Sequence, residues 1–229
     1  MSLSKKSFSK NRPVIKCHRL PLFVLNTLDN VKAAFQQVDP ISAQQAWRTR
    51  LEPHFAPMYI RVGWHHSALL LFAELTDTDI FTHATADNQR LWELGDVFEI
   101  FLRPKTQESY VELQIAPNNK RLQLRYPNAQ AVTNARMLGK TDHLMIPGKV
   151  FLSSTWTCAD DNKWFVFAKI PAKTVCERAN LLPDVEWLFS FSRYDYSPNG
   201  NAPVISSTSQ HSKADFHRQV EWGELRFEN

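Results

Sequence analysis

Tyr110-Val111-Glu112-Leu113-Gln114-Ile115-Ala116 puts Val111, Leu113 and Ile115 on one face of an extended chain and Tyr110, Glu112 and Gln114 on the other. A period of two marks a strand with two distinct faces. Asn118-Asn119-Lys120 then makes a tight turn, since Asn adopts turn backbone readily, and Arg121–Tyr126 returns with Leu122, Leu124 and Tyr126 inward. The same period runs outward in both directions. Met58–Trp64 sets Ile60, Val62 and Trp64 against Tyr59, Arg61 and Gly63, and Ala68–Leu75 follows a His65-His66-Ser67 turn as a buried strand. Val97–Leu102 is a further strand; Val150–Thr157 and Lys163–Ile170 form a hairpin about Asp160-Asp161-Asn162; Glu186–Tyr196 and Glu221–Phe227 close the series. Glycine is scarce, 6 in 229 residues, and Asn, Asp and 13 prolines carry the turns. Many strands joined by such turns predict an all-β chain folded as an antiparallel β-sandwich. Short N-terminal helices precede it: Asp29-Asn30 can cap a helix over Val31–Val38, and Ser42 with Gln45 has capping-box spacing.

Hydrophobic residues make up 43% of the chain, enough to fill a core and to exclude general disorder. The formal charge of +4 is unevenly spread. Residues 1–28 hold Lys5, Lys6, Lys10, Arg12, Lys16 and Arg19 with no acid, whereas residues 29–229 carry 21 basic and 23 acidic side chains. The basic excess therefore belongs to a leader, read as solvated, and the remainder offers no basic field for nucleic acid. The expected organisation is a leader over 1–28 and one sandwich over 29–229. The leader is polar where a signal peptide needs an apolar stretch. The longest clean apolar run, Ala68–Ala73, is far short of the ~18 residues that cross a bilayer. Three cysteines (Cys17, Cys158, Cys176) without CxxC spacing argue against a disulfide framework or a zinc knuckle.

The segment Leu91-Trp-Glu-Leu-Gly-Asp-Val-Phe-Glu-Ile-Phe-Leu102 sets Trp92 on a polar loop and Glu99 within an apolar strand. A carboxylate so placed needs a partner, because burying it alone is costly. Either it is a rim Glu paired with Arg103 or Arg193, or it lies at the base of a ligand site and accepts hydrogen bonds from sugar hydroxyls. Among the other tryptophans, Trp64, Trp164, Trp187 and Trp222 read as core, Trp47 as a packing anchor on a short helix with Leu51, and Trp156 as ambiguous. Glycosidase chemistry needs two carboxyls across a cleft. Asp96 and Glu99, three apart beside one strand, face opposite sides, so catalysis is not expected.

Several stretches together resemble the family 9 carbohydrate-binding modules, within the DOMON-like sandwiches of immunoglobulin and jelly-roll type. They are Val62-Gly-Trp64 with Leu69–Leu71 and Glu74-Leu-Thr-Asp77; Leu91–Leu102; Tyr110–Pro117; Phe191-Ser-Arg-Tyr-Asp195; and Phe216-His217 with Trp222-Gly-Glu-Leu225. The resemblance implies a binding module that needs no cofactor, attached to or encoded near a xylanase-type glycoside hydrolase in polysaccharide degradation. A secreted or periplasmic location is expected from the family. The resemblance also implies that an oligosaccharide or polysaccharide end is held between two aromatic rings, matched here by Trp92 and Phe216. Glu99, Gln114, His217 and Arg193 are the expected polar readers. Apolar ring faces cover pyranose C–H bonds while polar side chains meet the hydroxyls around the edge. Phe216 stands where the family has Trp, and Gln114 where its better-studied members have Arg, which predicts a differently shaped clamp. Family members often carry structural calcium; Asp77 and Asp79 are the acids that could serve, though a solvated turn is the plainer reading.

Two other functions are open. A haem-binding DOMON-like domain would need axial ligands, for which Met58, Met137, Met145 and His143 are available. A protein-interaction module with a vestigial sugar site would show Trp92 and Phe216 with no pocket between them.

Overall fold

The computed structural model describes residues 12–178, 181–183, 185–197 and 202–229, which leaves Lys5, Lys6 and Lys10 outside it. Twelve strands and three α-helices appear in the order β1 (Val14–Cys17), α1 (Leu28–Ala34), β2 (Ile41–Ser42), β3 (Met58–His65), β4 (Ala68–Thr76), β5 (Val97–Pro104), β6 (Tyr110–Ile115), β7 (Arg121–Tyr126), α2 (Ala129–Leu138), β8 (Leu152–Cys158), β9 (Lys163–Pro171), α3 (Ala172–Val175), β10 (Glu186–Asp195), β11 (Val204–Ser207) and β12 (Gly223–Phe227). One sheet runs β2-β3-β4-β9-β8. The larger runs β1-β12-β10-β5-β6-β7, with β11 also paired to β10. All pairs are antiparallel except β1 with β12. The chain is a β-sandwich, and no described helix is long and apolar enough to cross a membrane.

The core between the sheets takes alternate residues from each strand: Ile60 and Val62, Leu69 and Leu71, Ile100 and Leu102, Val111 and Leu113, Val166 and Ile170, Phe189 and Phe191. Trp164, Trp187 and Trp222 are fully buried, and Trp64 is 6% exposed with its indole N–H donating to Glu228 O at 2.8 Å.

Both sheets also bury much of their outer faces. On the smaller sheet, Phe35 after α1 packs on Phe72 and Phe167. Burying one such ring stabilises the fold by roughly 1.5–3 kcal/mol. On the larger sheet, α2 lays Ala131, Val132 and Ala135 in the same cluster as Leu122, Leu124 and Tyr126. The inward assignment of those three β7 residues is thereby corrected. The β6–β7 register opposes Tyr110 to Tyr126, Glu112 to Leu124 and Gln114 to Leu122. Leu122, Leu124 and Tyr126 thus share the face of Glu112 and lie opposite to Val111, Leu113 and Ile115. The interior-facing places of β7 hold Gln123 and Arg125 instead. β7 is the sheet edge, and their polar ends reach loop carbonyls: Gln123 donates to Gly148 O at 2.7 Å, and Arg125 to Thr174 O at 2.6 Å and Val175 O at 2.7 Å.

The N-terminal elements also differ from expectation. α1 starts earlier, with Thr27 Oγ1 accepting the Asn30 amide at 3.3 Å. No helix forms at Ser42–Gln45, because Ile41 and Ser42 pair with Ile60 and Tyr59. The Gln45 amide bonds to Glu52 and to Ile205 O instead of closing a capping box. Trp47 accordingly sits in a turn, its ring 6.2 Å from that of Phe216. Within residues 12–28, β1 pairs with β12 and Leu20 lies over Gly63, whereas Leu22 and Val24 are exposed.

Candidate functional site

The outer face of the larger sheet carries a pocket of about 270 Å³. Its floor comes from β5 and its neighbours, and alternation decides which residues reach it. Glu99 and Phe101 point outward while Phe98, Ile100 and Leu102 enter the core. Tyr194 and Tyr126 flank them from β10 and β7. One wall is α2, through Val132, Ala135 and Arg136. Asn128 caps this helix by accepting the Ala131 amide at 3.1 Å, and Gly139 ends it at φ +61°. A second wall is the single 3₁₀ turn Leu91–Glu93, which presents Trp92. That turn runs into Gly95 at φ +133°, where an added Cβ would stand 2.7 Å from Phe81 O. The third wall is the segment before β12, with Asp215, Phe216 and His217.

Trp92, Glu99, Phe216 and His217, named from the sequence, therefore line one pocket. Trp92 is half-buried, with the Arg90 guanidinium 5.7 Å from its ring and its carbonyl accepting from Tyr196 Oη at 2.5 Å. Phe216 is only 4% exposed, packed among Phe101, Tyr194, His211 and Trp47. It forms a wall rather than an open platform. Its carbonyl accepts the Trp222 indole N–H at 2.7 Å, so the last strand holds the ring in place.

Gln114 lies beneath the floor, fully buried. Its amide nitrogen donates to Glu99 Oε1 at 2.7 Å and to Glu112 Oε1 at 2.5 Å. Burial, and then the charge of Glu112, pushes the Glu99 carboxyl well above its ordinary range. Burial pushes Glu112 up to about 7. His217 covers this pair, with Nε2 3.7 Å from Glu112 Oε2 and Nδ1 sharing a 2.8 Å hydrogen bond with the Tyr110 hydroxyl. Burial lowers His217 to about 3, so its ring is neutral near pH 7.

Arg193 is placed elsewhere, and its assignment to the sugar site is corrected. On β10 it stands opposite Phe98, so it points to the inner face, away from Glu99, which stands opposite Ser192. Its guanidinium reaches Asp77 Oδ2 at 2.8 Å and Asp195 Oδ1 at 2.9 Å and donates to Thr76 O. Asp77, Asp96 and Asp195 bring carboxylate oxygens within 4.8 Å of one another here. Calcium takes six to eight oxygens. At this cluster the guanidinium already engages two of the three acids, and Asp96 accepts the Phe81 and Tyr196 amides at 2.7 and 2.8 Å. Arg193 thus supplies this cluster with a cation from the chain itself. Asp79 lines a shallow pocket beside it and bonds through its amide to Asp77 Oδ1.

The methionines considered for haem are dispersed. Met58 is buried between the sheets, Met137 is 74% exposed on α2, and His143 lies in a single 3₁₀ turn, Asp142–Leu144, rather than on a strand with Met145.

Sequence reasoning missed α2 and the second buried polar group behind Phe216. There, Ser190 Oγ meets His211 Nε2 at 3.2 Å, and Glu221 accepts from Ser212 and Arg218. Asn128, Gly139 and the helical spacing of Ala131, Val132 and Ala135 were readable signals for α2.

No sequence-family profile matches the chain, and no curated protein matches it. Solved structures do. A protein from Bacteroides uniformis, assigned provisionally as carbohydrate-binding, superposes with a TM-score of 0.72 at 14% identity, over 95% of this chain and 100% of its own. A family 9 carbohydrate-binding module from Caldicellulosiruptor kristjanssonii in complex with cellotriose gives 0.61 at 14% identity, over 93% and 92%. The module from the same organism in complex with glucose gives 0.60 at 14% identity, over 96% of each chain. At this identity the likeness establishes a shared sandwich fold.

Proposed function

We propose that this protein is a non-catalytic carbohydrate-binding module that takes a sugar ring into the pocket between Trp92 and the Phe216 segment. One observation carries the reading: a pocket of about 270 Å³ has an aromatic wall at Trp92 and a carboxyl, Glu99, on its floor. A pyranose asks for that pairing of apolar faces and polar edge. Solved sandwiches of the same fold that hold glucose and cellotriose support it. A pocket lined by both Trp92 and Phe216 disfavours a vestigial site used only for protein contact. Glu99 and Glu112 are both tied to Gln114, which disfavours the separate acid and nucleophile of a glycosidase. A partner hydrolase acting on polysaccharide accords with such a module. Isothermal titration with glucose and cellotriose tests the reading. Binding that falls at least about tenfold in Trp92→Ala, a loss of about 1.4 kcal/mol, supports it. No binding at millimolar sugar, or binding indifferent to Trp92→Ala, overturns it.

A further inference from the structure

The floor of the pocket is rich in acceptors and poor in donors. The Gln114 amide nitrogen is directed at Glu99 and Glu112, and the Tyr110 hydroxyl is shared with His217. Gln114 Oε1 is buried with no hydrogen-bond partner among the described residues, and the Glu112 carboxyl is met by the Gln114 amide and the Tyr126 hydroxyl. Glu99 commits Oε1 to Gln114 and lines the pocket with the rest of its carboxyl. The Tyr126 hydroxyl is engaged by Glu112, and Tyr194 brings one that donates and accepts alike.

Charge runs the same way. Two arginines reach the pocket, and each is already taken: Arg90 by Glu93 at 2.9 Å and by Gly139 O, and Arg136 by Asp215 at 2.8 Å. Against them stand Glu93, Asp215, Glu99 and, directly beneath, Glu112. His217 brings no charge near neutral pH. Two cations face four carboxyls, and the two without an ion-pair partner are the buried ones. A buried carboxylate without a cation either keeps a proton or waits for a ligand that brings one.

We infer that the pocket selects a sugar carrying a free ammonium group, a 2-amino-2-deoxyhexose such as glucosamine, over its neutral counterpart. The inference rests on the sugar-binding reading above. An ammonium brings three donors and no acceptor, which complements the floor. Its charge lets Glu99 or Glu112 ionise, so the carboxyl proton leaves to solvent as the cation arrives and the charge of the site is conserved. The raised carboxyls agree with this, because they hold protons while the site is empty of cation.

Titration calorimetry of the full chain at pH 6 with glucosamine, glucose and N-acetylglucosamine tests it. Charge-assisted hydrogen bonds are roughly twice as strong as neutral ones, and glucosamine is expected to bind about tenfold more tightly than glucose. N-acetylglucosamine, with the nitrogen but no charge, should bind no better than glucose. Titrations in buffers of different ionisation enthalpy should show proton release with glucosamine and none with glucose. Glu99→Gln should bring the glucosamine-to-glucose ratio close to one. Should that variant fail to fold, the proton count on the wild-type protein decides alone. Equal affinity for glucose and glucosamine, equal gain with N-acetylglucosamine, or binding without proton release overturns the inference and leaves the sugar-binding reading standing. No binding of any of the three overturns both.

Discussion

Replacing Arg193 by Met keeps much of the buried volume and removes the cation that pairs with Asp77 and Asp195 beside Asp96. The wild-type Arg193 side chain is 1% exposed and touches two of these acids within 2.9 Å, so solvent cannot take over its role. Removing one partner of a buried ion pair costs about 3–5 kcal/mol when the remaining charge stays ionised. The state of those acids therefore decides the size of the loss. Burial, reinforced by Asp77, raises Asp96 to about 8, and burial raises Asp195 to about 7. In the unfolded chain both titrate near 3.9. The folded protein thus keeps protons that the unfolded chain gives up, and stability from these groups is complete below about 3.9 and is lost as pH rises from there to 7–8. Arg193 lowers both carboxyls, so Arg193→Met sharpens that dependence. At pH 8.5 the loss should be about 3–5 kcal/mol. At pH 5, where Asp96 and Asp195 hold protons, it should be smaller, falling towards about 1–2 kcal/mol for the missing hydrogen bonds. For a chain of this length the alkaline loss lowers the melting temperature by roughly 6–20 °C. Urea unfolding at both pH values, followed by tryptophan fluorescence, reads the two losses directly. An equal loss at pH 5 and 8.5, or a smaller one at pH 8.5, would refute the assignment of Arg193 as the internal cation.

Two further outcomes follow from the walls of the pocket. Gly95→Ala should destabilise the protein by about 1–3 kcal/mol, since it forces an L side chain to φ +133° and a Cβ to 2.7 Å from Phe81 O; urea midpoints check it. Although burial opposes it, hydrogen bonds from Arg218 and Ser212 hold the Glu221 carboxyl down at about 2. Its stabilising effect is then complete above an unfolded value near 4.3 and is lost as pH falls towards 2. Glu221→Gln should cost about 1–3 kcal/mol at pH 7, with the gap to wild type closing near pH 2 in an acid titration of unfolding.

The sandwich was legible because its strands alternate. Val111, Leu113 and Ile115 enter the core as their spacing requires, and so do Ile60, Val62 and Trp64. Alternation yields two faces but does not say which face of one strand adjoins which face of the next. That is a matter of register, set by the turn. Leu122, Leu124 and Tyr126 were consequently assigned to the wrong side of a sheet that buries both sides. Arg193 was misplaced although period two sets it on the face of Phe189 and Phe191; its pairing opposite Phe98 shows that it turns its back on Glu99. The Ser42–Gln45 helix signal was real locally and lost to pairing with β3, an instance of tertiary contacts overriding propensity. Trp92 and Glu99 could be picked out because each contradicts its surroundings, an aromatic ring on a charged loop and an acid in an apolar strand. Glu112 and Gln114 sit in an ordinary alternation, and nothing in the sequence marks them as a buried, cation-free pair.

The pairing of β1 with β12 has a temporal consequence. Val14 lies beside Glu224 and Cys17 beside Phe227, so the first strand waits for the last. At about 5–20 residues per second of synthesis, Val14–Cys17 exists for roughly 10–40 s before its partner has been made. Closing so distant a contact also carries one of the larger loop-entropy penalties in the fold. The remaining strands of both sheets can assemble from neighbours made earlier. The β1–β12 seam therefore cannot close before β12 is made, and on the ribosome the edge that β12 will occupy on β10 stays open until Gly223–Phe227 emerge.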